Sequence, residues 1–251
     1  MQPLERDNIR LAATVMLVRD TPSGMEVYMV QRPGRGDFPD LHVFPGGKVD
    51  EGDWAPDLCD GLDDPIASAR LGIERGGLRY WMAVARECFE ECGVLLVNHG
   101  GVPLDFAHEA VDHKYAHYRE RLLAAEISFV EMCQREDLTV ACDLLAYFSY
   151  WLTPDSAPRR FDTRFFLAAM PPHQTTLAHT DETADDQWEK PREALARFHA
   201  EEWQMIDPTL RSLETLSQFG GVADALAGVR RGNHLMPLTP ALNRQGMQNL
   251  R

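Results

Sequence analysis

Glu87, Glu90 and Glu91 stand close together in the run Arg86-Glu87-Cys88-Phe89-Glu90-Glu91-Cys92-Gly93-Val94. On a helix, residues three and four apart share a face, so these carboxylates project together, with Ala83 one turn earlier on the same side. Like charges at that spacing repel by about 0.2–0.5 kcal/mol per pair. A divalent cation would neutralise them, and a hard, oxygen-seeking ion such as Mg2+ or Mn2+ suits carboxylate donors. A cation held there would offset the charge of an anionic substrate and lower the pKa of a bound water. A solvated acidic face is the competing reading of the same triplet.

The elements that must hold these residues are legible around them. Trp81, Ala85, Cys88, Phe89 and Cys92 form the apolar stripe of a core-facing helix. Gly93 sits where a left-handed residue closes it. Upstream, a brief strand over Leu41–Pro45 runs into Phe44–Asp53, which reads F-P-G-G-K-V-D-E-G-D. Two adjacent glycines allow a sharp turn and leave carbonyls free to approach a ligand. Lys48 is placed to reach either a phosphate or a neighbouring carboxylate.

Together the two stretches resemble the Nudix box, G-x5-E-x7-R-E-U-x-E-E-x-G-U with U aliphatic. Arg86–Val94 matches its second half at every fixed position, with Cys88 in the place of an aliphatic residue. The chain departs from the family between the box halves (44–53 and 79–94), where an insert of about residues 54–78 intervenes. Asp53, six positions after Gly47, stands where the family has glutamate, and Asp53, Glu51 and Glu74 all stay open as its replacement. A box interrupted there is similar to the coenzyme A diphosphatase-like branch of the family. That branch adds L-L-T-x-R before G-x3-F-P-G-G. Here Tyr28-Met29-Val30-Gln31-Arg32 keeps the arginine and Phe44–Gly47 the F-P-G-G, while the threonine and first glycine are replaced.

The resemblance implies a metal site of Glu87, Glu90 and Glu91, completed by a carbonyl of Gly46 or Gly47. It matches Arg86 to the arginine that pairs with a box carboxylate and orients it. The general base is either a box glutamate (Glu87 and Glu90 among them) or Glu182, which precedes Trp188 as a metal-site or base glutamate often does in the family.

Around this centre, Arg10–Arg19 and Met25–Arg32 read as a strand hairpin about the turn Thr21-Pro22-Ser23-Gly24. The loop after it, with Arg32 and Arg35, is a candidate phosphate contact or a plain solvated turn. The insert is acidic in its first half and helical after Pro65. Val94–Val97 reads as a strand and Asp105–Glu136 as strongly helical, with His113 and His117 solvent-facing or packed. Ala146–Leu152 and Arg160–Met170 are β-favouring runs, and Arg159, Arg160 and Arg164 concentrate positive charge there. Arg160 and Arg164 suit paired phosphate oxygens, or equally a local salt bridge to Asp155 or Asp162. A strand before Pro191, helices over Pro191–Arg197 and Pro208–Phe219, and a proline-marked surface tail after Gly232 complete the chain.

Composition limits the classes. A net charge of −14 lacks the basic footprint of a nucleic-acid binder. It leaves anionic substrates open, since bound cations invert the local field. No stretch reaches the ~20 apolar residues of a membrane span, and Met1–Asp7 lacks the order of a signal peptide. The five cysteines form no C-x-x-C pair, and Cys88 and Cys92 read as small buried hydrophobes, so a reduced cytoplasmic compartment is the default.

The expected fold is therefore α/β: a Nudix α/β/α sandwich with a mixed central sheet and extra helical insertions, one elaborated domain over residues 1–251. The expected activity is metal-dependent hydrolysis of a nucleoside diphosphate derivative, coenzyme A or acyl-coenzyme A foremost. ADP-ribose and NADH are the alternative substrates, and a non-catalytic nucleotide-binding sensor is the alternative of another class. Oligomeric state is left open, a homodimer being common in similar proteins, and no nucleic-acid or membrane partner is expected.

Overall fold

The structure, a computed structural model, describes residues 5–6, 9–33, 40–155, 157, 159–178 and 185–232. In chain order the strands are β1 (Glu5–Arg6), β2 (Ile9–Thr21), β3 (Gly24–Gln31), β4 (His42–Val43), β5 (Gly46–Lys48), β6 (Cys59–Asp60), β7 (Val97–His99), β8 (Val102–Pro103), β9 (Leu138–Ala141), β10 (Ala146–Leu152), β11 (Arg160–Ala169) and β12 (Asp185–Glu189). The helices are α1 (Asp64–Leu71), α2 (Leu78–Cys92), α3 (Glu109–Leu123), α4 (Phe129–Arg135), α5 (Pro191–His199), α6 (Asp207–Leu216) and α7 (Val222–Arg230).

The main sheet runs β10-β11-β2-β3-β12, with β1 and β5 on β2 and β4 on β3. It is mixed: β11 and β2 pair in parallel, whereas β10–β11, β2–β3, β2–β5 and β3–β12 are antiparallel. Side chains alternate across a strand, so β2 sends Val15 and Leu17 into one core and Met16 and Val18 into another. The first core is shared with α2 through Trp81, Val84, Cys88 and Phe89. The second is closed by Ala194 of α5, Leu213 and Leu216 of α6, and Val222 and Ala225 of α7. A sheet covered on both faces needs apolar residues on both, which is why β2 reads as a continuous apolar run. The result is the expected α/β/α sandwich.

A smaller sheet, β6-β9-β7-β8, lies beside the first core. The helical stretch after Asp105 is two helices. Ala125 takes a left-handed φ of 55° after α3, and Ser128 and Glu131 start α4 as a reciprocal capping box. The strand expected over Val94–Val97 begins only at Val97, and the residues before it are a buried connection. The tail after Gly232 lies outside the described residues.

The insert caps the box helix. Asp63 accepts the Ile66 amide at 3.1 Å and starts α1, which ends at Gly72 with φ 67°. Asp64 then accepts the amides of Gly76 and Leu78 at 2.9 and 3.1 Å, and the Ser68 hydroxyl accepts that of Gly77 at 2.9 Å. The amides of the two residues before α2 and of its first residue are thereby bound from α1. A Cβ on Gly77 would stand 2.4 Å from the Ser68 nitrogen, so only glycine lets the two helices approach this closely.

Candidate active site

The first half of α2, Leu78–Ala85, is buried all round, Arg79 included. The charged residues follow in its second half, and Gly93 closes the helix in the left-handed conformation at φ 72°.

Arg86 is the hub. Its Nε donates to Asp53 Oδ1 at 2.9 Å and its Nη2 to Asp53 Oδ2 at 2.9 Å, a two-pronged carboxylate grip. Nη2 also donates to the Lys48 carbonyl at 2.8 Å, and Nη1 to Glu87 Oε1 at 2.8 Å and Glu90 Oε2 at 3.1 Å. Asp53 is 2% exposed, whereas Glu51 and Glu74 are exposed. Of the three acids open from sequence, Asp53 alone is the one that reaches Arg86. On the other side Glu91 Oε2 accepts the Gly46 amide at 2.7 Å. Side chains of α2 thus tie both ends of the glycine loop to the helix despite the insert between them.

The two glycines do different work. Gly46 pairs with Thr14 on β2 at φ 154°, and a Cβ there would stand 2.4 Å from the Ala13 carbonyl oxygen. A Cβ on Gly47 would stand 2.5 Å from both carboxylate oxygens of Glu87. The Glu87 carboxylate therefore fills the space that the missing side chain leaves.

Burial governs the electrostatics. Desolvation raises Glu87 from 4.5 to about 7, with Arg86 pulling it down and Glu90 adding to the rise. Glu90 is raised too, chiefly by burial. Burial alone would lower Arg86, but the carboxylates of Asp53, Glu87 and Glu90 outweigh it and hold the guanidinium firmly charged.

Among the described residues no three His, Cys, Asp or Glu side chains converge as a ready metal site. Glu87 and Glu90 are turned onto Arg86, and Glu91 onto Gly46. The donor set nonetheless fits a hard cation: carboxylate oxygens on one helix face, with a glycine backbone against which Glu87 packs without an intervening side chain.

The remaining sequence candidates are not all brought here. Lys48 is exposed on β5 beside the hub, and Arg32 is exposed at the end of β3. Arg160 lies at the β10–β11 turn, donating to the Thr153 carbonyl and paired with Asp155. Arg164 is 2% exposed, pairs with Asp162 at 3.1 Å, donates to the Leu71 carbonyl and lies 3.8 Å from the Tyr150 ring centroid. Its charge is satisfied inside the first core. Arg35 and Glu182 lie outside the described residues. Among the described residues on either side, Leu177 donates to the Cys92 carbonyl at the end of α2 at 2.9 Å, and Asp185 of β12 pairs with Gln31 of β3.

One residue escaped sequence reasoning. Arg119 of α3 donates from Nε and Nη2 to the Glu90 carbonyl at 3.1 and 2.8 Å, and from Nη2 to that of Glu91 at 3.2 Å. It caps the end of the helix that bears the carboxylates. The periodicity of α3 marks Arg119 as nothing more than a surface arginine.

Fold and site together are those of a Nudix hydrolase, an enzyme class that acts on phosphoric anhydrides and generally uses divalent cations. A family model described as the NUDT19 Nudix domain matches residues 75–216, and the chain belongs to that family. It is 29% identical over 268 residues to acyl-coenzyme A diphosphatase NUDT19 of Gallus gallus, covering 86% of this chain and 70% of that protein. The Homo sapiens protein of the same name is 28% identical over 263 residues, covering 86% of this chain and 69% of its own. Among solved structures, a NUDIX hydrolase from Alicyclobacillus acidocaldarius superposes with a TM-score of 0.66 at 26% identity, covering 87% of this chain and 96% of that one.

Proposed function

We propose that this chain hydrolyses the diphosphate linkage of coenzyme A and acyl-coenzyme A. The observation that carries the reading is the Arg86 hub, which holds Asp53, Glu87 and Glu90 against the glycine loop across the insert. The likeness to two acyl-coenzyme A diphosphatases over most of the chain supports the substrate.

In this reading Glu87, Glu90 and Glu91, with a carbonyl of Gly46 or Gly47, hold Mg2+ or Mn2+. When bound, the cation supplies Lewis acidity toward the diphosphate oxygens and the attacking water. Taking it up requires Glu87 and Glu90 to turn from Arg86, which keeps Asp53 and the Lys48 carbonyl as partners. Arg86 then fixes the loop relative to the helix, a positioning role. Arg32, Arg35 and Lys48 are the residues that would contact the phosphates. Water adds to one phosphorus, its proton passes to a box glutamate or Glu182, and the bridging oxygen leaves with the other phosphate. The products are adenosine 3′,5′-bisphosphate and 4′-phosphopantetheine or its acyl form.

A cytoplasmic setting completes the proposal. All five cysteines are unbridged, and among the described residues no helix is long and apolar enough to cross a membrane.

The deciding assay follows product release from coenzyme A, ADP-ribose and NADH with Mg2+ or Mn2+, in wild type and Glu91→Gln. Preferred cleavage of coenzyme A, abolished in the variant, is the expected result. Preference for ADP-ribose or NADH would replace the substrate. Binding without turnover of any of them would make the protein a nucleotide sensor.

A further inference from the structure

The insert and the start of the box helix enclose a cavity of about 230 Å3, lined by Trp54, Asp64, Arg75, Gly76 and Arg79. Its walls combine an indole with two guanidinium groups. Trp54 is 38% exposed, and the Arg79 guanidinium carbon lies 5.8 Å from its ring centroid. Arg79 itself is 2% exposed, held behind the indole. Gly76, at φ 82°, turns the chain beside that guanidinium, whose Nε, Cζ and Nη2 would stand 3.4 Å from a Cβ placed there, an ordinary contact. Arg75 is exposed at the rim. Asp64 adds a carboxylate, but both of its oxygens accept backbone amides at the start of α2, so its charge is already engaged by the helix N-terminus.

An aromatic face beside the exposed Arg75 fork, with the Arg79 guanidinium buried behind the indole, suits a flat ring that carries a phosphate. The volume is below the roughly 300–1,000 Å3 of a pocket that swallows a whole drug-sized ligand. It has room for one end of a larger molecule. The other end has a direction to follow. Trp54 adjoins Asp53, which grips Arg86, and Arg79 precedes Arg86 by seven residues on α2, about 10 Å along the axis. The cavity thus lies on the same helix as the Arg86 hub, two turns nearer its start.

We infer that this cavity is a subsite for a phosphorylated purine nucleoside, the end of the substrate that lies beyond the diphosphate. The inference rests on the coenzyme A reading, in which that end is adenosine bearing a 3′-phosphate. The insert would then select the substrate as well as cap the helix.

Steady-state kinetics on coenzyme A and dephospho-coenzyme A, which lacks the 3′-phosphate, test it with Arg75→Ala and Trp54→Ala. Both residues are exposed, and thermal melts verify that the variants fold. Arg75→Ala should raise KM for coenzyme A about tenfold, as expected for one lost charged hydrogen bond, with kcat held. It should leave dephospho-coenzyme A unaffected, while Trp54→Ala should raise KM for both. Coenzyme A cleavage with unchanged KM in both variants overturns the subsite and leaves the reaction standing. If wild type cleaves neither compound, the substrate reading has failed, and calorimetric titration with adenosine 3′,5′-bisphosphate judges the cavity alone. Binding to wild type that weakens about tenfold in Arg75→Ala supports the subsite; equal binding, or none, overturns it.

Discussion

Asp53 grips Arg86 through both carboxylate oxygens, each bond 2.9 Å long, at a site where the acid is 2% exposed. Breaking a buried pair from one side is expensive because the remaining charge stays desolvated. Arg86 keeps Glu87 and Glu90 in the variant, which moderates the loss. Asp53→Asn should therefore lower unfolding stability by about 3 kcal/mol, at the low end for a broken buried pair. Urea titration would show it as a fall in midpoint at constant m-value. An unchanged midpoint would mean that Lys48 and the glutamates alone hold Arg86.

The glycine loop separates stability from activity. At Gly46 an added Cβ meets the backbone of Ala13 and Thr14, which cannot move without opening β2. Gly46→Ala should destabilise by about 2–3 kcal/mol, the scale of overpacking with backbone strain. At Gly47 the same Cβ meets only the end of Glu87. Gly47→Ala should melt within a few degrees of wild type yet lose turnover, because Glu87 is pushed off its place. Equal losses of melting temperature in the two variants would contradict this division.

How much of this was legible before the fold depends on whether a residue's partner is local. Glu87, Glu90 and Glu91 share a face because helical spacing puts them there, and Gly93 ends the helix because it is glycine in a left-handed turn. The β2–β3 hairpin and the continuous apolar run of β2 were equally local signals. Asp53 was one of three acids of similar standing until burial separated it from Glu51 and Glu74. In sequence Arg164 suits a phosphate or a salt bridge to Asp162 equally, and only tertiary packing decides for Asp162 and shows Tyr147 and Tyr150 around it. The strands of the small sheet, Cys59–Asp60 and Val102–Pro103, are too short to leave any alternation in the sequence.

Arg119 is the tertiary contact with the most direct consequence for the site. Its guanidinium satisfies the Glu90 and Glu91 carbonyls at the end of α2 and is itself largely buried. Arg119→Gln should cost about 2 kcal/mol, the scale of a charged hydrogen bond lost with its backbone acceptors left wanting. It should also weaken divalent-cation activation, because the last turn of the helix carries two of the carboxylates. Arg119→Lys, which keeps the charge and loses the fork, should recover stability better than activation. The check is an Mg2+ titration of turnover beside a melt for each variant. An unaltered Mg2+ dependence in both would confine Arg119 to packing.

Glu87 links stability to pH. Burial, aided by Glu90 and opposed by Arg86, raises it from 4.5 to about 7. A carboxylate raised on folding binds its proton more tightly in the folded state. Between about pH 4.5 and 7 the folded chain then holds more protons than the unfolded one, and this group's contribution to stability falls as pH rises. Below that window the penalty is absent, and above it the penalty is constant. Glu87→Gln removes the titration and should flatten this part of the profile. Proton and cation compete for the same carboxylate, so stabilisation by Mg2+ should grow through the window and level off above it. Thermal melts in steps from about pH 5 to about pH 8, with and without Mg2+, measure both effects. A Mg2+ shift that is flat with pH, or that survives intact in Glu87→Gln, would place the cation away from Glu87.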